Sequence, residues 1–414
     1  MRGAICIVSS GNLASNPRLL KEADALHEAG YAVTAVVCRY TEALRSFDDA
    51  IAAEVPWRVV NVQRAPLEGL VTRAATAVAK GMLLLGLPLP LPVAAAAYGG
   101  PSAPLRRAAS RVSADLYIAH YVPGLVAAGA AARARGAALG FDAEDYHGGE
   151  RSALHQRTVH RIDSAYLPGC CHVTAAAPMI GDAYRRAFGI NPVTVLNVFP
   201  LAMGPAAPRP ARGTGPLRAY WFSQTIGPDR GLQAFIEAMA QARRPVTLDI
   251  RGSDRWNHGE GLLALARARG VGDRVRLHEV APPGDMARLA AEYDLGLSLE
   301  TDVSENRQIC LTNKIFTYLL AGVPVLLSDT PAQRALAPLL GEAARLVSLA
   351  DPAAIAAALY GLAEDPAVLS ASRDHAWRLG RQRYNWEFEK KALLASVERA
   401  LASRGGEERD RCGS

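Results

Sequence analysis

The stretch YDLGLSLETDVSENRQICLTNKIFTYLLAGVPVLLSDT, residues 293–330, decides the fold. It opens with a short apolar strand at 295–299, breaks into a polar loop at 300–308, and predicts an amphipathic helix from about Thr312 to Ala321. Gly322 stops that helix, and 323–327 reads as a second apolar strand. Strand, loop, helix, glycine and strand make one βαβ unit. Its loop and helix N-terminus lie at the carboxyl edge of a parallel sheet, where open α/β sheets bind ligands. Asn313 and Lys314 fall in the first helical turn. There they meet an anion or a sugar hydroxyl, or Asn313 merely caps the helix and Lys314 is solvated.

A chain of 414 residues is too long for one ordinary core, so two domains of about 200 residues are expected. Half of the residues are apolar and few are aromatic, an ordinary globular composition. The net charge of +6 is too small, and too evenly spread, to argue for nucleic acid. Six cysteines (Cys6, Cys38, Cys170, Cys171, Cys310, Cys412) show neither metal-ligand spacing nor a disulfide framework, which fits a reducing cytoplasm. The N-terminal apolar run is too short for a signal peptide, and no run is long enough to span a bilayer.

Working outward from the opening stretch, the N-terminal half repeats its logic. Residues 4–8 (AICIV) read as a buried parallel strand, Gly11 and Asn12 sit in the following loop, and Asn16-Pro17 opens a helix ending at Gly30. The pattern is not GxGxxG, so no dinucleotide fingerprint is present. A strand at 115–120 puts His120 at its carboxyl end, where it is expected to face a cleft. The next strand ends in Asp142, Glu144, Asp145 and His147, a cluster that suggests metal or acid–base chemistry or is only a polar loop above a sheet. Residues 71–98 are apolar and broken by Pro88, Pro90 and Pro92. They form either a core-facing helix pair or, flanked by Arg73, Lys80, Arg106 and Arg107, a greasy surface that meets lipid. Residues 201–216, rich in Pro and Gly, read as an interdomain linker.

The second half starts afresh with a strand at 217–222, and Arg230-Gly231 begins the next helix, so Arg230 can aim at a phosphate. Strand and helix then alternate back to the opening stretch. The expected domains are 1–200, 217–380, and a segment 381–414 made of an amphipathic helix and a charged, disordered tail.

With both halves laid out, the chain resembles the retaining glycosyltransferases of GT-B fold, the group 1 type, over nearly its whole length. The anchors are SSGNLASNPRLLKEADALHEAGYAVTAV (9–36), DLYIAHYVPGLVAAGAAARARGAALGFDAEDY (115–146), RGLQAFIEAMA (230–240) and KIFTYLLAGVPVLLSD (314–329). The last is the most specific, being similar to Lys-x-x-Glu-Tyr-x-x-x-Gly-x-Pro. The resemblance implies two doubly wound Rossmann-like α/β domains facing across a cleft. The N-terminal domain would hold a glycan or lipid-linked acceptor and the C-terminal domain a nucleotide-diphosphate sugar, with no cofactor and no metal. It places Gly11 and Asn12 near the donor sugar and diphosphate, His120 at the transferred sugar, Arg230 at the diphosphate, and Lys314 with its helix at the phosphate or ribose.

Three departures stand beside the match. Where the family has a pair of donor-site glutamates, this chain has Ile309 and Thr317; Glu305 lies four residues before the first. Where the family has an arginine five residues before its basic-Gly pair, this chain has Thr225, with Arg251 and Arg307 as candidate replacements. The expected function is therefore metal-independent sugar transfer with retention. The alternative is a catalytically weakened binding subunit of polysaccharide assembly, and a nucleotide-sugar enzyme such as an epimerase is a third reading.

Overall fold

The computed structural model describes residues 2–150, 152–210 and 215–412, with side chains as far as 402. The chain divides into two compact units, Met1–Val195 with Lys390–Ser414, and Leu196–Glu389.

The first unit is built on seven parallel strands: β1 (Ala4–Ser9), β2 (Ala32–Cys38), β3 (Arg58–Val62), β4 (Leu116–His120), β5 (Ala138–Ala143), β6 (His172–Ala175) and β7 (Val193–Thr194). Their order is β3-β2-β1-β4-β5-β6-β7. Ile5 pairs with Val33 on one side and Leu116 on the other, so β1 is central, and its run of apolar residues suits burial on both faces. The order reverses between β1 and β4, which makes their carboxyl ends the topological switch point. The helix Pro17–Glu28 follows β1 directly, started by Pro17 and capped by Asn16, whose side chain accepts from Leu19 N.

The second unit has six parallel strands: β8 (Leu217–Thr225), β9 (Val246–Ser253), β10 (Val275–His278), β11 (Leu295–Ser298), β12 (Val325–Ser328) and β13 (Ala344–Val347). Their order, β10-β9-β8-β11-β12-β13, repeats the first sheet, with the switch point between β8 and β11. Trp221, Phe235, Ile250, Leu297 and Ile355 form part of its core. Burying side chains of this size contributes roughly 1.5–3 kcal/mol each.

The opening stretch folds as its pattern requires, with two refinements. The helix is Asn313–Leu320, and Gly322 closes it at φ +69°. That left-handed turn lets Val323 N reach Tyr318 O at 2.9 Å. The polar loop contains a further helical turn, Glu305–Ile309, because the Ser304 hydroxyl caps it by accepting from Arg307 N.

The C-terminal helix, Trp386–Cys412, runs on into the stretch expected to be a disordered tail, whose last two residues lie outside the described residues. Its Val397 packs with Ile5, Leu19 and Ile118 in the first unit's core, and Ser396 bonds His172 at 2.9 Å. In the segment expected to be a linker, Arg209 O accepts from Arg373 Nε at 3.0 Å and the Arg209 guanidinium pairs with Glu292. Residues 211–214 lie outside the described residues. Residues 71–98 fall in a hairpin of two helices, Glu68–Leu84 and Leu91–Tyr98, joined at Gly86 and the prolines. Only Ala79 of the longer helix is buried. Among the described residues no single helix is long and apolar enough to cross a membrane.

Candidate functional site

In the second unit the site forms at the carboxyl ends of β8 and β11. Gly231 sits at φ +65° before the helix Leu232–Gln241, and a Cβ there would lie 2.6 Å from Leu299 Cβ and 2.7 Å from Leu299 O. Only glycine lets this turn press onto the end of β11. The neighbouring Arg230 is thereby held against Glu300, with Nη1 3.6 Å from the carboxylate. Arg307, from the short helical turn, reaches the same carboxylate at 2.8 Å, and Lys314, from the first turn of the next helix, at 3.1 Å. One glutamate, 1 % exposed, thus holds three cations delivered by three different segments.

The electrostatics follow from that count. Burial alone would raise the Glu300 carboxyl, but Lys314, Arg307 and Arg230 outweigh it and hold it down at about 2. Burial lowers Lys314, Glu300 opposes that, and Arg230 and Arg307 push it further down. Burial also lowers Arg230, reinforced by repulsion from Arg307. The carboxylate neutralises one of three charges. Two positive charges remain beside a helix N-terminus, where further negative charge is stabilised. Arg307 and Arg230 are 32 % and 21 % exposed, so an incoming anion can reach them. This arrangement can take the charge of a leaving diphosphate without a metal ion.

The other sequence-derived residues of this unit lie differently. Thr225 closes β8 at the same sheet edge and is half-buried. Glu305 is exposed at the start of its helical turn, outside the cation cluster. Asn313 is half-buried, and its carbonyl accepts from the Thr317 hydroxyl at 2.9 Å. Thr317 has no exposed surface. Its hydroxyl turns back into its own helix, as Thr does in helix interiors, and is not presented to a ribose. Thr312, not Asn313, is the N-cap, and Lys314 is buried rather than solvated. Arg251 donates to the Tyr220 hydroxyl and to Glu279 O, away from Glu300, whereas Arg307 does join the cluster.

In the first unit, the carboxyl ends of β1, β4 and β5 carry a buried polar network. Arg18, on the helix after β1, makes two bonds to Asp142 at 2.6 and 2.7 Å and a third to Val195 O at 2.7 Å. The Thr174 hydroxyl also donates to Asp142. His120 lies with Nε2 2.6 Å from Glu22 and Nδ1 3.6 Å from Asp142. Its ring is 1 % exposed. It ends β4 as the sequence requires but does not open to solvent, because Glu22 on the helix Pro17–Glu28 covers it. Burial lowers His120, and the Glu22 bond and charge, with Asp142, more than restore it, so its proton is held more tightly than usual. Burial drives Lys21 down to about 7 and Glu144 up to about 7. The next residue, Tyr121, has φ +62°, an uncommon conformation for a bulky side chain.

Gly11 is half-buried in the loop after β1. Asn12 is 2 % exposed and fully engaged: Nδ2 donates to Asp48 and Thr41 O, and Oδ1 accepts from Thr41 N. It ties two loops together rather than facing a ligand. Asp142, singled out as part of an acidic cluster, is taken up by Arg18. Among the described residues no group of three or more His, Cys, Asp or Glu is placed to hold a metal ion. Sequence reasoning missed Glu300, Arg18 and Glu22. Glu300 had a signal, since it is the first residue after an apolar strand at a sheet's carboxyl edge. The other two read as ordinary helix-surface charges.

The two Rossmann-like units, each with its switch-point site, define a protein of the GT-B architecture. Comparison with solved structures gives that fold directly. Anabaena HepE in complex with UDP-glucose is similar at a TM-score of 0.70 and 16 % identity, over 96 % of this chain and 99 % of that one. Sucrose-phosphate synthase from Thermosynechococcus elongatus is similar at 0.67 and 14 %, over 97 % and 99 %. The lipopolysaccharide outer core galactosyltransferase WaaB is similar at 0.61 and 10 %, over 95 % and 99 %. At these identities the likeness is one of fold. No family model matches the chain, and no curated protein matches it in sequence.

Proposed function

We propose that the protein is a glycosyltransferase that moves a sugar, with retention, from a nucleotide-diphosphate sugar to a glycan or lipid-linked acceptor. The observation that carries this reading is the trio Arg230, Arg307 and Lys314 around Glu300, at the switch point of the second sheet. Two positive charges are left for a diphosphate, and the site supplies the electrostatic stabilisation that its departure needs. The structural neighbours add support: HepE is described with UDP and with UDP-glucose. The leaving phosphate accepts the acceptor's proton, so a separate general base is not required. In this reading His120 and Gly11 serve the transferred sugar, and Glu22 must release the His120 ring for that contact. The enzyme works in the cytoplasm and meets a membrane through residues 71–98.

The test is the melting temperature of the full chain with UDP, GDP, ADP and CDP and their sugars, without metal and then with magnesium. A ligand that binds only the folded state raises it in proportion to the logarithm of its concentration over Kd. A shift with one diphosphate, lost in Arg307→Ala, is the expected result, and no shift with any of them defeats the proposal. For turnover, His120→Ala should lower sugar transfer sharply, and unchanged transfer removes His120 from the site.

A second reading is favoured by one observation, the buried threonine at 317 where the resemblance expects a ribose-binding glutamate. The protein is then a donor-binding subunit without catalysis. Tight donor binding with no release of nucleoside diphosphate in the presence of acceptor glycans selects it.

A further inference from the structure

The first unit carries an apolar ridge that none of the described residues covers. Along the helix Glu68–Leu84 and the turn after it, Leu70, Val71, Val78, Leu84, Leu85 and Leu87 are all exposed, Leu84 by 87 % and Leu85 by 74 %. Val71 and Val78 are seven residues apart and Leu70 and Leu84 fourteen, and Ala74, Ala77 and Gly81 supply the steps of three and four between them, so the helical ones share one stripe. Among the described residues, half of the large hydrophobic side chains that are exposed fall between Leu67 and Leu87. A soluble surface rarely gathers them so densely.

The sequence around the ridge is mostly basic. Between Val55 and Ala114 there are seven basic residues and a single carboxylate, Glu68, which Arg64 holds at 2.9 Å. Arg73 and Lys80, seven residues apart, run along one flank of the stripe and are exposed. At the tip of the hairpin, Leu89 lines a groove of about 560 Å³ together with Arg157, His160 and Arg161. Arg161 Nε donates to Leu89 O at 3.0 Å, which fixes the tip beside the groove. An apolar ridge, a basic flank and a basic groove at the ridge's end are complementary to an interface of acyl chains below and phosphates above.

We propose that this face docks on an anionic lipid bilayer. The ridge from Leu70 to Leu87 enters the acyl boundary, Arg73 and Lys80 lie at headgroup level, and a lipid phosphate occupies the groove of Arg157, His160 and Arg161. This deepens the membrane contact in the proposed function and leaves the donor site untouched.

The experiment is sedimentation of the full chain with extruded vesicles of phosphatidylcholine alone and of phosphatidylcholine with phosphatidylglycerol. Binding to the anionic vesicles only, weakening as sodium chloride is raised, is expected. Leu84→Glu combined with Leu85→Glu should lose at least tenfold in vesicle affinity, and Arg157→Glu several-fold. All three positions are exposed, so these variants should fold, and a parental melting temperature checks that. Failure of the parent protein to bind anionic vesicles overturns the proposal, as does equal binding by the Leu84/Leu85 variant. So does a stable dimer, seen by light scattering and abolished in that variant, since a second copy would then cover the ridge. Loss of vesicle binding with the UDP shift intact sinks this inference alone; loss of the UDP shift with vesicle binding intact sinks the donor reading alone.

Discussion

Replacing Glu300 by glutamine should change stability and ligand affinity in opposite directions. The carboxylate lies 2.8 Å from Arg307, 3.1 Å from Lys314 and 3.6 Å from Arg230, and it is 1 % exposed. The amide keeps the shape and removes the charge, leaving three cations uncompensated. Breaking a buried pair by removing one partner typically costs about 3–5 kcal/mol, so the variant's melting temperature should fall by on the order of 10 °C. The same carboxylate repels a diphosphate. At about 6 Å and an effective dielectric of about 20, that repulsion is roughly 3 kcal/mol per phosphate charge. Removing it should tighten binding at least tenfold, even after discounting for screening. The carboxyl is held at about 2, so it is ionised between pH 5 and 8, and the change in affinity should grow as the terminal phosphate takes its second charge at about pH 6. Titration calorimetry with the nucleoside diphosphate that gives the largest thermal shift reads the affinity, and differential scanning calorimetry reads the stability. A less stable variant with unchanged or weaker diphosphate affinity refutes the reasoning, because the phosphates then bind away from the cluster.

Arg230→Ala should weaken diphosphate binding by about 1.5–3 kcal/mol, the worth of a charged hydrogen bond; unchanged affinity in the same calorimetry places the phosphates elsewhere. Gly231→Ala forces a Cβ to within 2.6 Å of Leu299 at a positive φ, which should cost about 1–3 kcal/mol and weaken diphosphate binding as Arg230 is displaced. A variant with parental stability and affinity would show that the turn need not press on β11. Asp163 is buried with both carboxylate oxygens unpartnered among the described residues, and burial pushes it up to about 8. The native state therefore keeps a proton that the unfolded chain releases above its ordinary value near 4. The stability this contributes is complete below that value and is lost as the pH rises through about 8, by roughly 1.4 kcal/mol per pH unit. Asp163→Asn should remove that slope in urea titrations between pH 5 and 8, and an unaltered slope would show that Asp163 is ionised in the fold.

Much of this protein was determined by sequence alone. Two doubly wound sheets follow from alternating buried strands and amphipathic helices, because a parallel strand covered on both faces must be continuously apolar. The capping Asn16-Pro17, the helix-stopping Gly322 and the Arg230-Gly231 turn are local, and local chemistry can be read one residue at a time. Tertiary structure decided what the charges do. Glu300, Arg307 and Lys314 come from a strand end and two separate helical starts, and only folding shows that one carboxylate must serve three cations. His120 was legible as a strand-end residue, but its burial against Glu22 depends on how the helix Pro17–Glu28 lies over the sheet. The buried Thr317 and fully bonded Asn12 are further cases, since spacing fixes a residue's place on its own element and not which neighbour covers it. The segment 71–98 shows the same limit: its composition allowed a core-facing pair of helices or a lipid-facing surface, and packing gave a hairpin that buries one side and leaves a ridge of leucines on the other.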